Sequence, residues 1–270
     1  MTQSLPILST YQQTLDTAVT PMLQLRQVSY ELVDNHTRDV AAIVPVQGVT
    51  LTIQRGESIA ILGNDSSGKE TLLSLLACLV LPTNGNFSLY GYDVATLNTS
   101  IHDDLRLRHI GVVFPTPALF MQKSVSENVA LPLTYLKLNH VDQIKRVAKA
   151  LAIVGVTELS THYPDELTRE QCHMVALARA LVHNPAMLLL NEPIASLGSI
   201  DRHSYLAVLQ QCNQRGLTIV FATNDQEIAA YTRRQIIMRN GQLVHDTGFL
   251  ALPRPATPVI AQHAIDEWLT

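Results

Sequence analysis

The sequence predicts an α/β fold with a mostly parallel sheet, a smaller antiparallel β lobe and an α-helical subdomain. Short apolar runs of strand length alternate along the chain with segments of helical spacing. One such run, Ser58–Leu62, ends in a glycine-containing loop that is followed directly by a helical pattern. Residues 124–184 then have an almost wholly helical pattern. These three observations favour a sheet covered by helices on both faces.

The composition limits the classes of protein to which the chain can belong. Its 270 residues, 47% of them apolar, are enough for one large α/β domain or for two lobes that share a core. The net charge of −4 gives no indication of nucleic-acid binding. Three scattered cysteines without C-x-x-C spacing argue against a disulfide framework or a zinc site and fit a reducing compartment.

The first twenty residues lack the basic start and apolar core of a signal peptide, and we expect them to form a flexible tail. The richest apolar stretch, residues 72–81, is about half as long as a bilayer span requires. We therefore expect a soluble chain that reaches a membrane only through a partner.

The N-terminal half begins with three β-type runs, Leu23–Val28, Val46–Ile53 and Ser58–Leu62. The helical pattern after the third run extends over Thr71–Leu81. A further buried-type strand, His109–Phe114, ends at a break marked by two prolines.

The C-terminal half contains two more apolar strands, Met187–Leu190 and Leu217–Ala222, with a helix predicted at Ser199–Gln214 between them. Asn240-Gly241 predicts a tight hairpin between two short strands. Residues 251–270 begin rich in proline and end amphipathic, with Ile260, Ala264 and Trp268 on one face. We favour a helix docked on its own domain, with a partner-binding helix as the alternative.

The loop after Ser58–Leu62 has the pattern G-x-x-x-x-G-K between a buried strand and a helix. Glycines allow the backbone to wrap around a polyphosphate, and the lysine can reach its terminal phosphates. The predicted phosphate-binding residues are Gly63, Asn64, Asp65, Ser66, Ser67, Gly68 and Lys69.

Four further segments, in order, resemble those of the ABC ATPases, P-loop NTPases that power transporters. LTIQRGESIA at 51–60 is similar to the strands that lead into their phosphate loop, and VSENVALPL at 125–133 to the start of their helical subdomain. YPDELTREQCHMVALARAL at 163–181 resembles their signature segment, and LLLNEP at 188–193 their Walker B strand. Asn240-Gly241 matches their late hairpin. The resemblance is greatest to the lipoprotein-release and macrolide-export branch.

The resemblance implies a nucleotide-binding domain over residues 21–250, with a helical subdomain at about 116–184, a flexible tail at 1–20 and an amphipathic tail at 251–270. In the family, two such domains form a head-to-tail dimer around two ATP molecules. Each site combines the phosphate loop of one chain with the signature segment of the other.

Several positions depart from the family pattern around the phosphates. Glu70 stands where the family has a Ser or Thr that ligates magnesium, and Thr71 keeps the next hydroxyl. Pro115 replaces a glutamine that senses the metal and the attacking water, and proline has no side-chain donor or acceptor. Tyr30 lies near the place where the family stacks an aromatic ring on adenine.

The signature motif LSGGQ is also altered, to Leu167-Thr168-Arg169-Glu170-Gln171. Its glycines allow backbone amides to close on the partner's phosphate, whereas Arg169 and Glu170 carry bulky side chains. We expect these two residues to be solvated or to face a partner, with a repurposed phosphate contact by Arg169 as the alternative.

The remaining family positions concern metal and water. Asn191 replaces the Walker B aspartate, while Glu192 keeps the position of the general base. Gly198 replaces the D-loop aspartate, and Asn224 the switch histidine, which removes a proton-exchanging group.

The combined changes predict a degenerate ATP-binding-cassette subunit of a membrane transport or signalling complex. It would bind ATP weakly, with little support for a bound Mg²⁺ and no residue assigned as a metal ligand, and hydrolyse it slowly or not at all. The resemblance implies an integral membrane partner, a homodimer or a heterodimer with another ABC ATPase, no nucleic acid, and a place on the cytoplasmic face of the membrane. The alternatives are an active ATPase with an altered magnesium site and a scaffold that binds no nucleotide.

Overall fold

The computed structural model describes residues 21–32, 43–195 and 197–248. Both predicted tails, 1–20 and 251–270, lie outside the described residues, and so does the amphipathic face of Ile260, Ala264 and Trp268. The described strands are β1 (Leu23–Leu32), β2 (Ile43–Ile53), β3 (Ser58–Leu62), β4 (Asn84–Leu89), β5 (Tyr92–Asp93), β6 (Ile110–Val113), β7 (Met187–Asn191), β8 (Thr218–Thr223), β9 (Arg234–Arg239) and β10 (Gln242–Asp246).

The described α-helices are α1 (Lys69–Leu76), α2 (Thr99–His109), α3 (Val125–Ala130), α4 (His140–Val154), α5 (Arg169–Leu181), α6 (Ser199–Gln214) and α7 (Gln226–Tyr231). Short 3₁₀ turns at Val94–Thr96, Leu131–Tyr135, Thr157–Leu159 and Pro164–Glu166 lie between them. Among the described residues, no helix combines the length and the apolar character that crossing a bilayer requires.

The strands form two sheets. A six-stranded sheet has the order β10-β9-β3-β8-β7-β6, with every neighbouring pair parallel except β9 and β10. A four-stranded antiparallel sheet has the order β2-β1-β4-β5. The predicted fold class, a mostly parallel core with an antiparallel lobe and a helical region, is confirmed.

The parallel sheet separates two apolar clusters because alternate side chains of a strand point to opposite faces. Along β7, Leu189 packs in the cluster that contains Phe87 of the antiparallel sheet and Leu72 of α1. Its neighbour Leu190 packs in the other cluster, with Leu151 of α4 and helix α5. The strands in the centre of the sheet are therefore mostly apolar, and β3 and β8 are buried along their whole length.

The helix after the phosphate loop is shorter than predicted. It ends at Leu76, although the apolar run continues to Leu81, because Cys78 adopts a left-handed φ of 53° that a helix cannot continue through. The sequence pattern also did not predict β4, β5 or α2. Since α2 extends to His109, strand β6 begins one residue later than expected, at Ile110.

Candidate functional site

The phosphate loop connects the buried strand β3 to the first residue of α1, Lys69. The backbone N–H of Ser67 donates to the Asn64 carbonyl at 3.0 Å and closes the loop into a tight turn. Gly68 has a φ of 89°, and a Cβ there would lie 1.8 Å from the Pro45 carbonyl oxygen. A Cβ on Gly63 would lie 2.4 Å from the Ser67 hydroxyl oxygen. The fold therefore requires glycine at both motif positions.

The β9–β10 hairpin supports the loop from behind. Asn240 and Gly241 both have positive φ, 48° and 79°, as a type I′ turn requires, which confirms the hairpin that the sequence predicts. The Gly241 N–H donates to the Ser67 carbonyl at 2.9 Å, and Gly241 in turn accepts from the Gln47 N–H at 2.8 Å. The exposed part of the loop is formed by Asn64, Asp65 and Ser66.

Lys69 is the buried cation of the site, with a side chain only 1% exposed. Its Nζ lies 3.4 Å from the Asn64 carbonyl oxygen and 3.6 Å from one carboxylate oxygen each of Asp65 and Glu192. The Asp65 side chain is almost fully exposed, so water screens that contact. The Glu192 side chain is 15% exposed, which makes Glu192 the principal counterion of Lys69.

The structure brings Glu192, Asn224 and Lys69 together at the ends of neighbouring parallel strands. Glu192 follows β7 with a positive φ of 39°, which turns its side chain toward the end of β8. One carboxylate oxygen accepts the Thr223 hydroxyl at 2.8 Å, and the other accepts the Asn224 N–H at 2.9 Å. Both oxygens of the predicted base are therefore engaged by the chain itself.

The oxygen donors near the phosphate loop differ in charge and in burial. Glu70 is exposed in the first turn of α1, with Thr71 half-buried beside it. The Asn191 Oδ1 is buried without a hydrogen-bond partner among the described residues, but it is neutral. The described part of the chain contains no group of three or more His, Cys, Asp or Glu residues placed to hold a metal. In nucleotide sites Mg²⁺ is usually held by one or two carboxylates together with substrate phosphates and water, and Glu70 supplies an exposed carboxylate beside the loop.

Pro115 lies exposed in the loop after β6, at the same edge of the sheet as Glu192, since Val113 of β6 pairs with Leu190 of β7. Arg179 of α5 holds the residues that follow it, with its guanidinium donating to the carbonyls of Pro117 at 2.7 Å and Ala118 at 2.9 Å. A cleft of about 590 Å³ opens beside this helix, between α2, β6 and the 3₁₀ turn that carries the exposed Tyr135.

The altered signature segment forms the start of α5. Thr168 caps the helix in a reciprocal capping box with Gln171, in which the Thr168 hydroxyl accepts the Gln171 N–H at 3.2 Å. Arg169 is exposed. Burial, followed by the charge of Asp201 and a hydrogen bond to its side chain, raises the pKa of Glu170. Glu170 thus faces α6. Gly198 is the N-cap residue of α6, and no side-chain hydrogen bond caps the helix there.

Tyr30 is half-buried in β1 opposite Val46 and packs against the apolar cluster of the antiparallel lobe. The sequence reasoning missed Thr223, Arg202 and Asp225, which surround the Glu192 side of the site. Thr223 directly precedes Asn224, so its position at the end of a buried strand was an available signal. The role of Arg202 depends on a contact 23 residues away and leaves no local pattern.

Comparisons with known proteins agree with this geometry. The ABC transporter family model matches residues 46–195. The macrolide export ATP-binding/permease protein MacB of Hyphomonas neptunium is 36% identical over 228 residues, which is 84% of this chain and 35% of that protein. The chain therefore spans about a third of the length of the curated relatives it matches.

Two solved structures of the cassette MJ0796 are also similar. Its dimeric structure as a bacterial ABC transporter cassette matches with a TM-score of 0.76 and 28% identity, over 84% of this chain and 100% of that one. Its dimeric post-hydrolysis state bound to ADP and Pi matches with the same score, identity and coverage.

Proposed function

This chain belongs to the ABC transporter family, and from that premise we propose that it is a degenerate ATP-binding-cassette subunit of a membrane transport or signalling complex. It binds nucleotide weakly and hydrolyses it slowly or not at all. The observation that carries this proposal is that both carboxylate oxygens of Glu192 are already engaged. They accept hydrogen bonds from Thr223 and Asn224, and one of them forms an ion pair with Lys69.

Weak nucleotide binding follows from the phosphate loop. The glycine positions and the helix start after them preserve the backbone shape that cradles a polyphosphate. Lys69, however, already contacts two carboxylates, and Glu70 adds a third negative charge in the first turn of α1. An incoming phosphate must compete with these charges for the same cation. The likeness to a cassette structure bound to ADP and Pi supports the same loop as the nucleotide site.

Slow or absent hydrolysis follows from the residues at the positions that would orient the attacking water. Phosphoryl transfer depends on positioned charges and an oriented nucleophile. Asn191 supplies no charge, Pro115 supplies no side-chain donor or acceptor, and Glu192 is held by its own chain. Losing one such contact often costs about two to three powers of ten in rate. Losses in one cooperating unit are not additive, but a single one is already severe.

We place the membrane partner at the cleft beside α5, on the cytoplasmic face of the membrane. Phe114, Phe120, Met121 and Tyr135 are each at least half exposed, and Tyr135 lines the cleft. Large apolar side chains exposed in one region of the surface are typical of a protein interface. The similarity to a protein named as both ATP-binding and permease supports an integral membrane partner.

We further propose that the chain dimerises, with itself or with an active ABC ATPase, with the start of α5 facing the partner's nucleotide. Thr168 and Arg169 are exposed there, and Glu170 lies against Asp201. The carboxyl groups of Glu170 and, from α6, Asp201 oppose the approach of a phosphate to this helix start. Paired with an active cassette, each shared site would contain one altered half.

An ATP titration by calorimetry tests the binding half of this proposal. We expect a measurable but weak dissociation constant in EDTA, little changed by Mg²⁺, and no binding by Lys69→Ala. The matched control is Lys145→Ala, in helix α4 and outside the phosphate loop. No heat with the wild-type chain under either condition would favour the scaffold that binds no nucleotide.

Steady-state phosphate release, with and without the copurified membrane partner, tests the hydrolysis half. We expect a rate indistinguishable from that of Glu192→Gln. A Mg²⁺-dependent rate that disappears in Glu192→Gln would instead establish the active ATPase with an altered magnesium site.

A further inference from the structure

Arg202 of α6 connects the start of its own helix to the strand end that holds Glu192. Its Nε donates to the Leu197 carbonyl at 3.0 Å. Its Nη1 lies 2.5 Å from Asp225 Oδ2 and 3.4 Å from Glu227 Oε2. The Arg202 and Asp225 side chains are each about one-fifth exposed, so water screens this ion pair less than a surface pair.

Two successive hydrogen bonds connect Asp225 to Glu192. The Asp225 N–H donates to the Thr223 hydroxyl oxygen at 3.1 Å, and that hydroxyl donates to Glu192 Oε2 at 2.8 Å. Between them, the Asn224 N–H donates to Glu192 Oε1 at 2.9 Å. The carboxylate thereby receives two donors from one three-residue segment, Thr223–Asp225.

We propose that Arg202 is a positioning residue that holds the Thr223–Asp225 segment on Glu192 and thereby keeps Glu192 paired with Lys69. The inference rests on the proposed function, since it treats Lys69 as the cation that meets a phosphate. Lys69 is almost fully buried, so its charge requires a counterion, and Glu192 is the partly buried carboxylate within 3.6 Å of it. A phosphate and Glu192 therefore compete for one ammonium group.

These contacts predict how Glu192 and Lys69 respond when Arg202 no longer holds the Thr223–Asp225 segment. Without Arg202, Asp225 loses its cation, and the two donors no longer hold the Glu192 carboxylate in place. Glu192 then exchanges with water more often, and Lys69 becomes accessible to small reagents and anions. The expected signs are faster acylation of Lys69 and tighter ATP binding.

Acylation of Lys69 by acetic anhydride, measured by peptide mass spectrometry under native conditions, tests the proposal without any nucleotide. Arg202→Gln and Glu192→Gln should each accelerate acylation of Lys69 by about tenfold relative to wild type, corresponding to loss of a contact worth about 1.4 kcal/mol. The rate for Arg202→Lys, which keeps the charge near Asp225 but lacks the planar fork, should lie between those of wild type and Arg202→Gln.

Matched variants separate positioning from general loosening. Arg108→Gln removes a comparable ion pair, 2.7 Å from Asp104 on the distant helix α2, and should leave Lys69 acylation unchanged. Combining Arg202→Gln with Glu192→Gln should add nothing to Glu192→Gln alone, because both act through the same carboxylate. Thr223→Val, which removes only the hydroxyl, serves as a second variant if Arg202→Gln folds poorly.

An ATP titration in EDTA forms the second arm, with about tenfold tighter binding expected for Arg202→Gln. Unchanged Lys69 acylation in Arg202→Gln and Thr223→Val, or fully additive effects in the double variant, would overturn the proposal. If acylation responds as expected while no variant binds ATP, the positioning role of Arg202 stands and the proposed nucleotide binding fails. If wild type binds ATP weakly but no variant changes Lys69 acylation, the proposed nucleotide binding stands and the positioning role of Arg202 fails.

Discussion

Gly68 shows how a single residue of the phosphate loop limits what the fold tolerates. Its φ is 89°, and the Pro45 carbonyl oxygen occupies the place a Cβ would take. The neighbouring Lys69 is buried for the same reason, because the loop is pressed against β2 and the β9–β10 hairpin. The motif glycine is thus required by packing as well as by any ligand.

Replacing Gly68 with alanine should destabilise the protein by more than about 3 kcal/mol, since it combines left-handed strain with a backbone clash. Urea unfolding followed by circular dichroism measures the change. The matched control is Gly155→Ala, where φ is 73° but no atom lies within 4 Å of the added Cβ. It should cost only about 1 kcal/mol, from strain alone. Equal costs at the two positions would refute the steric explanation.

The proposed weakness of metal binding can be tested by restoring the residues that the family has at two positions. The double variant Glu70→Ser with Asn191→Asp places a hydroxyl and a carboxylate where the family has them. ATP affinity, measured with Mg²⁺ and with EDTA, should become at least about tenfold stronger with Mg²⁺ in the double variant and differ little in the wild type. The single variant Asn191→Asp is the control for added charge alone. A wild-type chain with a strong Mg²⁺ preference would show that its oxygens already hold the ion.

The sequence could predict the phosphate loop because its residues are contiguous and its strand–loop–helix context is local. It could also point to Glu192 and Asn224 through the family resemblance. It could not predict that Glu192 is engaged on both oxygens, because Thr223 and Lys69 approach it from strands and loops far apart in the chain. Contacts of this kind depend on the parallel order of β3, β8 and β7.

At the scale of elements, the predictable strands had a continuous apolar run, as in β3, or apolar residues at alternate positions, as in β1. Strand β4 was not predicted because three of its six residues are exposed and its sequence, NGNFSL, contains Asn and Gly, which are depleted in strands. Helix α2 escaped because only His102 and Leu105 are buried, so its sequence lacks an apolar period. Where few residues of an element are buried and apolar, the spacing of apolar residues does not distinguish a strand or a helix from a loop.

His183 connects the end of α5 to the start of β6, and this contact should make stability depend on pH. Its Nε2 lies 3.2 Å from the Ile110 carbonyl oxygen, and burial lowers the pKa of His183 to about 4. Below pH 6.5 the unfolded chain binds a proton that the folded chain does not, so stability falls as the pH drops from 6.5 toward 4. Between pH 7.5 and pH 5.0 the expected loss from this group is about 2 kcal/mol.

Urea unfolding of wild type and His183→Gln at both pH values isolates the contribution. The destabilisation caused by His183→Gln should be about 2 kcal/mol smaller at pH 5.0 than at pH 7.5, because glutamine does not titrate. His140→Gln, at an exposed position, should show no such difference. An identical effect of His183→Gln at the two pH values would exclude the histidine as the cause.

At the scale of the whole molecule, Arg234 joins the two sheets. Its guanidinium donates to the Thr52 carbonyl of β2 at 2.8 Å, to Glu57 at 2.9 Å and to both carboxylate oxygens of Asp246 in β10. Hydrogen bonds from Arg234 lower the pKa of Asp246, whereas burial raises the pKa of Glu57. Arg234 and Glu57 are both nearly fully buried, so each depends on the other for charge compensation.

Arg234→Met should therefore destabilise the protein by about 3 to 5 kcal/mol, because it leaves the buried Glu57 without its cation. Urea unfolding at pH 7 measures the loss. Adding Glu57→Gln to Arg234→Met should recover part of it by removing the uncompensated charge. A cost below about 1 kcal/mol for Arg234→Met would mean that the packing of the two sheets does not depend on this network.

The proposed function requires that the molecule holds a nucleotide without cleaving it. The fate of bound ATP tests that claim most directly. Excess chain is mixed with α-labelled ATP and Mg²⁺, and ATP and ADP are separated over time. We expect bound ATP to be recovered intact, with the same slow decay in wild type and Glu192→Gln. Steady accumulation of ADP by wild type, dependent on Mg²⁺ and lost in Glu192→Gln, would contradict it.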